Sequence, residues 1–250
     1  MTESINKVDL FWTGGLDSTF RLIQLLKTTT HLVQPHYIVR HEASTGVEID
    51  TMIRIRRLTI SKYPEVRSRF LPTIYTNEDC IPTYKEIDEE IKEIRKITKV
   101  NDQYQILSRY CKKFNIETIE VCYEQDLHPH PEDICVSRYF GNSEVFKSFS
   151  NPLEKITKKG GYKIAKTDGW VDILRMTSFC RRPRIRIHAC GTCGPCVDVV
   201  RNGMGFRLSL WPRTKAIIEI PFRNYYRRNY LKQNKTWFFK LIKRKFEHRL

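Results

Sequence analysis

The sequence predicts an α/β protein built on a doubly wound parallel sheet, with a small cysteine-bearing subdomain toward the C-terminal end. Three observations predict it. Short apolar runs alternate with stretches of helical periodicity through the early part of the chain, as strands joined by crossover helices do. A glycine pair, Gly14-Gly15, sits where the first apolar run gives way to the first helical stretch. Four cysteines, Cys180, Cys190, Cys193 and Cys196, gather in the pattern C-x9-C-x2-C-x2-C. A chain of 250 residues can bury one good core, so one main domain with an appendage is expected.

Taken in order, Val8-Asp9-Leu10-Phe11-Trp12 is an apolar run suited to a buried strand. Ser18 to Lys27 carries helical spacing at Phe20, Leu22, Ile23, Leu25 and Leu26. His36 to Val39 reads as a second strand, and Ile49 to Tyr63 as a helix with apolar positions at Ile49, Met52, Ile53 and Ile60. Phe70 to Tyr75 reads as a third strand, Glu86 to Val100 and Asp102 to Phe114 as helices, and Thr118 to Tyr123 as a fourth strand. From Glu124 to Ser150 periodicity fails and prolines, histidines and glycine accumulate, which reads as a loop suited to a substrate lid. Lys158 to Thr167 reads as a helix. The expected organisation is a nucleotide-binding α/β domain over residues 1–176, a zinc-knuckle subdomain over 177–212 and a basic, aromatic-rich tail over 213–250.

In an open parallel sheet, ligands bind beyond the carboxyl ends of the strands, where Phe11-Trp12-Thr13-Gly14-Gly15-Leu16-Asp17-Ser18 falls. Glycines let the backbone turn sharply and approach a ligand, while the first-turn amides of the next helix point outward with its positive end. Thr13, Ser18 and Thr19 add hydroxyls. Asp17 would repel a phosphate unless it holds Mg²⁺ or caps the helix. The order of strand, hydroxyl, two glycines, acid and hydroxyl favours a phosphate site over an ordinary capped turn. Neither G-x-x-x-x-G-K-S/T nor G-x-G-x-x-G occurs, so the corner is neither a Walker loop nor a dinucleotide fingerprint.

Composition narrows the class. Hydrophobic residues make up 40% of the chain, the longest apolar runs fall far short of ~18 residues, and Met1 to Lys7 holds no apolar segment. No transmembrane segment is expected, and the expected location is the cytoplasm. Three of the eight cysteines fall in C-G-T-C-G-P-C, which in a reducing compartment points to a metal site rather than disulfides. Two C-x2-C steps let thiolates converge on one ion, and Gly191 and Gly194 allow the tight knuckle in which amides reach sulfur. Zn²⁺ in a closed, structural site is expected, with an iron-sulfur cluster as the rival. Cys111 and Cys122 read as small apolar residues, and Cys80 and Cys135 as loop residues.

The net charge of +16 is concentrated late: Arg223 to Leu250 holds ten lysines and arginines against one acid, Glu247. Trp237, Phe238, Leu241, Ile242 and Phe246 would share one helical face there. An amphipathic helix docked on its own domain, nucleic acid bound through stacking and phosphate contacts, and an anionic membrane or acidic protein partner are the alternatives.

Thr13 to Ser18 resembles the S-G-G-x-D-S loop of the PP-loop ATP pyrophosphatase superfamily, with Thr13 in place of the first serine. Asn151-Pro152-Leu153-Glu154-Lys155-Ile156-Thr157-Lys158, then Thr177-Ser178-Phe179-Cys180 and the knuckle, is similar to the C-terminal half of the 7-cyano-7-deazaguanine synthase family, with its P-L/F-x-x-x-T-K and T-x-x-C elements. The resemblance covers both ends of the α/β domain. It implies ATP and Mg²⁺ bound by Thr13, Gly14, Gly15, Leu16, Asp17, Ser18, Thr19 and Lys158, with Asp17 and Lys158 as catalytic residues, and a metal on Cys180, Cys190, Cys193 and Cys196. It further implies cleavage of ATP between its α and β phosphates, with a deazaguanine-like carboxylate and ammonia as co-substrates; separately, a homodimer is among the expected states. Two features depart from the family. Its D-C-R element has no counterpart nearer than Asp133, Cys135 and Arg138, and the acid two positions beyond T-K is Gly160 here. A relative that modifies another carboxylate, or a macromolecule such as tRNA or a protein terminus, is therefore the alternative.

Overall fold

The structure, a computed structural model, describes residues 6–97, 100–122, 143–183 and 189–224. The chain divides into two compact units, Met1–Ile187 and His188–Leu250. In the first unit, β1 (Lys7–Phe11), β2 (Leu32–Val39), β3 (Ile74–Asn77), β4 (Ile119–Glu120) and β5 (Phe149–Ser150) form one sheet in the order β3-β2-β1-β4-β5. Every pairing is parallel. The order reverses between β1 and β4, so the crevice beyond their carboxyl ends is the switch point at which such sheets bind ligands.

Helices α1 (Leu16–Thr28), α2 (Thr45–Lys62), α3 (Lys85–Ile97), α4 (Asp102–Lys113), α5 (Lys158–Thr167) and α6 (Val171–Arg175) cover the sheet. The two faces follow from strand alternation. Phe11 and Ile38 look toward α3 and α4, where Ile87, Ile91, Ile106, Leu107 and Tyr110 complete one core. Leu10 and Trp12, both at 0% exposure, look the other way. On that side Trp12 stacks edge-on against Phe70, and Phe20 of α1 meets Trp170 at 5.3 Å. Each such side chain withdrawn from water contributes about 1.5–3 kcal/mol. Across the sheet, Arg21 of α1 donates twice to the Glu120 carboxylate of β4, at 2.8 and 2.7 Å.

The doubly wound parallel sheet is the architecture that the alternation of apolar runs and helical stretches predicts. Differences lie at element ends, and each has a local cause. β2 begins at Leu32 rather than His36 because Pro35 sits within it, paired in register with Leu10. Val33 exchanges backbone hydrogen bonds with Arg69 and Leu71, so the N–H that Pro35 lacks would have faced the same neighbour. Arg56 donates to the carbonyl of Leu71 instead, at 2.7 Å. Regular pairing with β3 therefore starts late, at Ile74, and Phe70 contributes only an isolated bridge to Val33.

The end of the expected loop 124–150 is also corrected. Val145, Phe146 and Phe149 are buried, and Phe149-Ser150 is β5; Tyr104 of α4 holds Phe146 at 5.5 Å. A strand of two residues has no period to read. Residues 123–142, with Asp133, Cys135 and Arg138, lie outside the described residues.

The second unit holds α7 (Gly194–Arg201), a short 3-10 turn at Gly205–Arg207 and a helix, α8, over 210–224. Among its described residues, Val197, Val199, Met204, Leu208, Pro212 and Ala216 are buried, as are Cys190 and Cys196. α8 runs through the expected boundary between residues 212 and 213. The tail over 225–250 lies outside the described residues. Among the described residues, no helix is long and apolar enough to cross a membrane.

Candidate nucleotide site and metal centre

At the carboxyl end of β1 the chain turns through Gly14, whose φ of +68° is disfavoured for residues with a Cβ. A Cβ there would also lie 3.2 Å from side-chain carbons of Thr51 and Met52 and 3.3 Å from the Glu48 carbonyl, so Gly14 is needed for both conformation and room. Gly15 is the N-cap of α1 and has no side chain to cap it. The first-turn amides of Leu16, Asp17 and Ser18 have no carbonyl one turn earlier to bond, as at any helix start. Within the corner, the amide of Gly15 donates to the Thr13 hydroxyl at 3.4 Å, and the amide of Thr13 to the Ser18 hydroxyl at 3.5 Å. Thr13, Gly15 and Asp17 are part-exposed.

Two distant segments close on this corner. The amide of Ser178 donates to the Gly14 carbonyl at 2.9 Å, which pins the Thr177–Cys180 stretch to the loop. Lys158 opens α5, whose N-cap Thr157 accepts from the Gly160 amide at 3.1 Å. Its Nζ lies 3.9 Å from Asp17 Oδ2. A cation at a helix start opposes the helix dipole, so the position of Lys158 is favoured by Asp17 rather than by its own helix. The arrangement brings together two helix N-termini, an ammonium and a carboxylate, which is a setting for a polyphosphate bound with a divalent cation.

Of the hydroxyls expected to face a ligand, two are buried, Ser18, which accepts from the Thr13 amide, and Thr19. Thr19 is at 0% exposure and its Oγ1 accepts from the Trp12 indole at 3.0 Å, so it ties strand to helix. Leu16 is buried and can offer only its amide.

Glu48, in the first turn of α2, was missed as a site neighbour, because in sequence it is one more acid on a charged helix. Its backbone carbonyl borders Gly14 and its side chain accepts from the Tyr37 hydroxyl at 2.8 Å. Burial pushes the Glu48 carboxyl above its usual range against the hydrogen bonds from Tyr37 and Ser44, and burial beside Glu48 pushes the Tyr37 phenol up. Beneath the corner lies a second network the sequence does not advertise: buried His36 bridges Asp9 Oδ1 and the Tyr110 hydroxyl, 2.7 Å from each. Burial raises the Asp9 carboxyl, but hydrogen bonds from His36 and Lys7 and their charges outweigh it and hold the group below its usual value.

The sulfur atoms of Cys180, Cys190, Cys193 and Cys196 all lie within 4.8 Å of one another. Cys196 approaches Cys193 at 3.4 Å and Cys190 at 3.9 Å. The amides of Thr192 and Cys193 donate to the Cys190 sulfur at 3.4 and 3.3 Å. Burial opposes the Cys190 thiolate, yet these hydrogen bonds prevail and its pKa falls below the usual thiol value. Gly191 makes the turn, with φ +81°; a Cβ there would lie 2.7 Å from the Cα of Pro212. Four convergent sulfurs, one with amides aimed at it, form a donor set that a soft metal fits. Among the other cysteines, burial raises the Cys111 thiol to about 12, as befits an apolar core residue.

No family model matches the chain. No curated protein matches it either. Among solved structures, it is similar to the U34-tRNA thiolase NcsA from Methanococcus maripaludis, solved with its 4Fe-4S cluster. The two are 13% identical, with a TM-score of 0.41, over 90% of this chain and 74% of that one. What the site can do follows from its own residues.

Proposed function

We propose that this chain is an ATP-dependent enzyme of the PP-loop kind that adenylates a small carboxylate and, like the 7-cyano-7-deazaguanine synthases its sequence resembles, passes it to ammonia. The observation that carries the reading is Lys158 Nζ within 3.9 Å of Asp17 at the Gly14-Gly15 corner. A loop and a lysine some 140 residues apart in sequence meet at the switch point of the sheet, where such a pair has a use on a polyphosphate.

The residues would divide the work as follows. The amides of Leu16 to Ser18 and the Thr13 hydroxyl would hold the phosphates, and Lys158 would offset charge that builds as the α-β bridge breaks. Asp17 would hold Mg²⁺, which supplies charge neutralisation on the leaving phosphates. A substrate carboxylate oxygen attacks the α-phosphorus, pyrophosphate leaves, and an acyl-adenylate remains. Ammonia then adds to the acyl carbon, gives up a proton and expels AMP to leave an amide. A second ATP, spent on the amide oxygen in the same way, gives the nitrile with loss of AMP. The protein's share is positioning and preorganised charge. Sulfur separations of 3.4 and 3.9 Å are close to the ~3.8 Å edge of a tetrahedron with metal-sulfur bonds of about 2.3 Å, which supports a single Zn²⁺ over a cluster whose thiolates bind separate irons.

The test incubates the protein with ATP, Mg²⁺, ammonium and 7-carboxy-7-deazaguanine and reads products by mass spectrometry. AMP, pyrophosphate and the amide or nitrile are expected; ADP, or no nucleotide product with any of a panel of carboxylates, would overturn the reading. AMP formed only with another carboxylate would remove the deazaguanine and leave adenylation standing. Lys158→Ala should lower kcat roughly 100- to 1,000-fold, the size seen on removing one preorganised charge-stabilising donor. Its melting temperature should stay unchanged.

A further inference from the structure

We infer that α8 of the second unit docks on an anionic lipid surface. Its inner side is built from Pro212 and Ala216, which are buried. Its outer side presents Leu210, Trp211, Ile217, Ile218 and Phe222, at 82, 68, 51, 59 and 61% exposure. The offsets from Trp211 to Ile218 to Phe222, and from Leu210 to Ile217, are those of one helical stripe. A contiguous exposed stripe of large apolar side chains marks an interaction surface rather than chance exposure.

Charge selects the occupant. Arg213 and Lys215 border the stripe, the Lys215 ammonium 4.9 Å from the Trp211 ring centroid. The helix's one acid, Glu219, lies 3.8 Å from Arg223. The sequence that follows, beginning at Arg223, carries ten basic residues and one acid. A second copy of the chain, or its own tail, would bring basic groups onto basic groups. Nucleic acid would satisfy the charge and stack on Trp211 or Phe222, but Leu210, Ile217 and Ile218 have no ring for a base to stack on. An interface of anionic headgroups over acyl chains takes both halves at once: leucine, isoleucine and aromatic side chains enter the boundary while lysine and arginine meet the headgroups.

The test is co-sedimentation of the full chain with vesicles of phosphatidylcholine and phosphatidylglycerol at roughly 7:3, beside vesicles of phosphatidylcholine alone. The chain should sediment with the first and not the second. Trp211→Ser with Ile218→Ser and Phe222→Ser should lower the partition about tenfold or more, each buried apolar side chain counting separately. Far-ultraviolet dichroism and thermal melting should match the parent. Arg213→Glu with Lys215→Glu, which leaves the stripe intact, should weaken binding to the anionic vesicles. No binding by the parent overturns the inference, and so does unchanged binding by the triple variant, which would mean that tail charge alone binds or that the tail covers the stripe. A parent dimer dissociated by the triple substitution, or RNA binding lost with it, overturns it too.

Discussion

The Gly14 corner and the Gly191 knuckle solve the same local problem on different foundations. Each turns on a left-handed glycine hemmed in by a neighbour, Thr51 and Met52 in one case and Pro212 in the other. The corner stands on a parallel sheet with Leu10, Trp12 and Phe20 fully buried around it, so its shape is set before any ligand arrives. The described residues of the knuckle's unit bury fewer apolar side chains, Val197, Val199, Met204, Leu208, Pro212 and Ala216, and its sulfurs form a donor set that could hold a metal. A site on a core can leave its charges open for chemistry, whereas a site replacing a core must close its ligands on the ion.

The largest expected effect separates the two foundations. Cys196→Ser, or prolonged treatment with a strong chelator, should strip the metal and unfold residues around the knuckle, since structural Zn²⁺ contributes on the order of 10 kcal/mol to such sites. Metal analysis together with proteolysis reads this: cleavage confined to residues 188–224 is expected, and a knuckle that stays protease-resistant without metal breaks the comparison. A single equivalent of zinc without acid-labile sulfide is the expected content.

Next come the glycines. Gly14→Ala and Gly191→Ala should each cost about 1–3 kcal/mol in backbone conformation alone, with Gly191→Ala the worse because its Cβ meets backbone. Denaturant titration should show the first lowering the stability of a unit that remains folded, and ATP turnover should fall with it. Equal tolerance of both substitutions would show that neither turn is tight.

The smallest effect is acidic. The Asp9 carboxyl is held below its unfolded value of 3.8, so it binds its proton less readily in the folded state. Its contribution is complete above that value and is lost as pH falls through the lower folded value. Asp9→Asn should therefore cost about 1 kcal/mol at neutral pH, and the gap to the parent should close below a pH of about 4. A gap that persists at pH ~2 would mean that shape, not charge, matters there.

Much of this was legible because the informative residues are close together in sequence. Helix α5 falls where the spacing from Lys158 to Thr167 places it, because Thr157 caps it and its apolar positions repeat. Sequence periodicity handles worst the strands whose pairing is interrupted: opposite Pro35 in β2 the Leu71 carbonyl accepts from Arg56 instead. β5 was invisible at two residues. At the corner, the glycines and hydroxyls could be named, yet nothing local tells that Thr19 is spent on Trp12 or that Glu48 backs Gly14. Those facts belong to packing between segments, which one sequence does not display.

The hydrogen bond from Ser178 to Gly14 sets an order in time. During synthesis the glycine corner emerges before the two residues that close on it, Lys158 and Ser178, which follow more than a hundred residues later. Over that interval the emerging chain carries the loop without the lysine. Premature termination between the corner and Lys158 thus releases a fragment with the two glycines but without the lysine, and any such fragment that binds nucleotide should do so without turning it over.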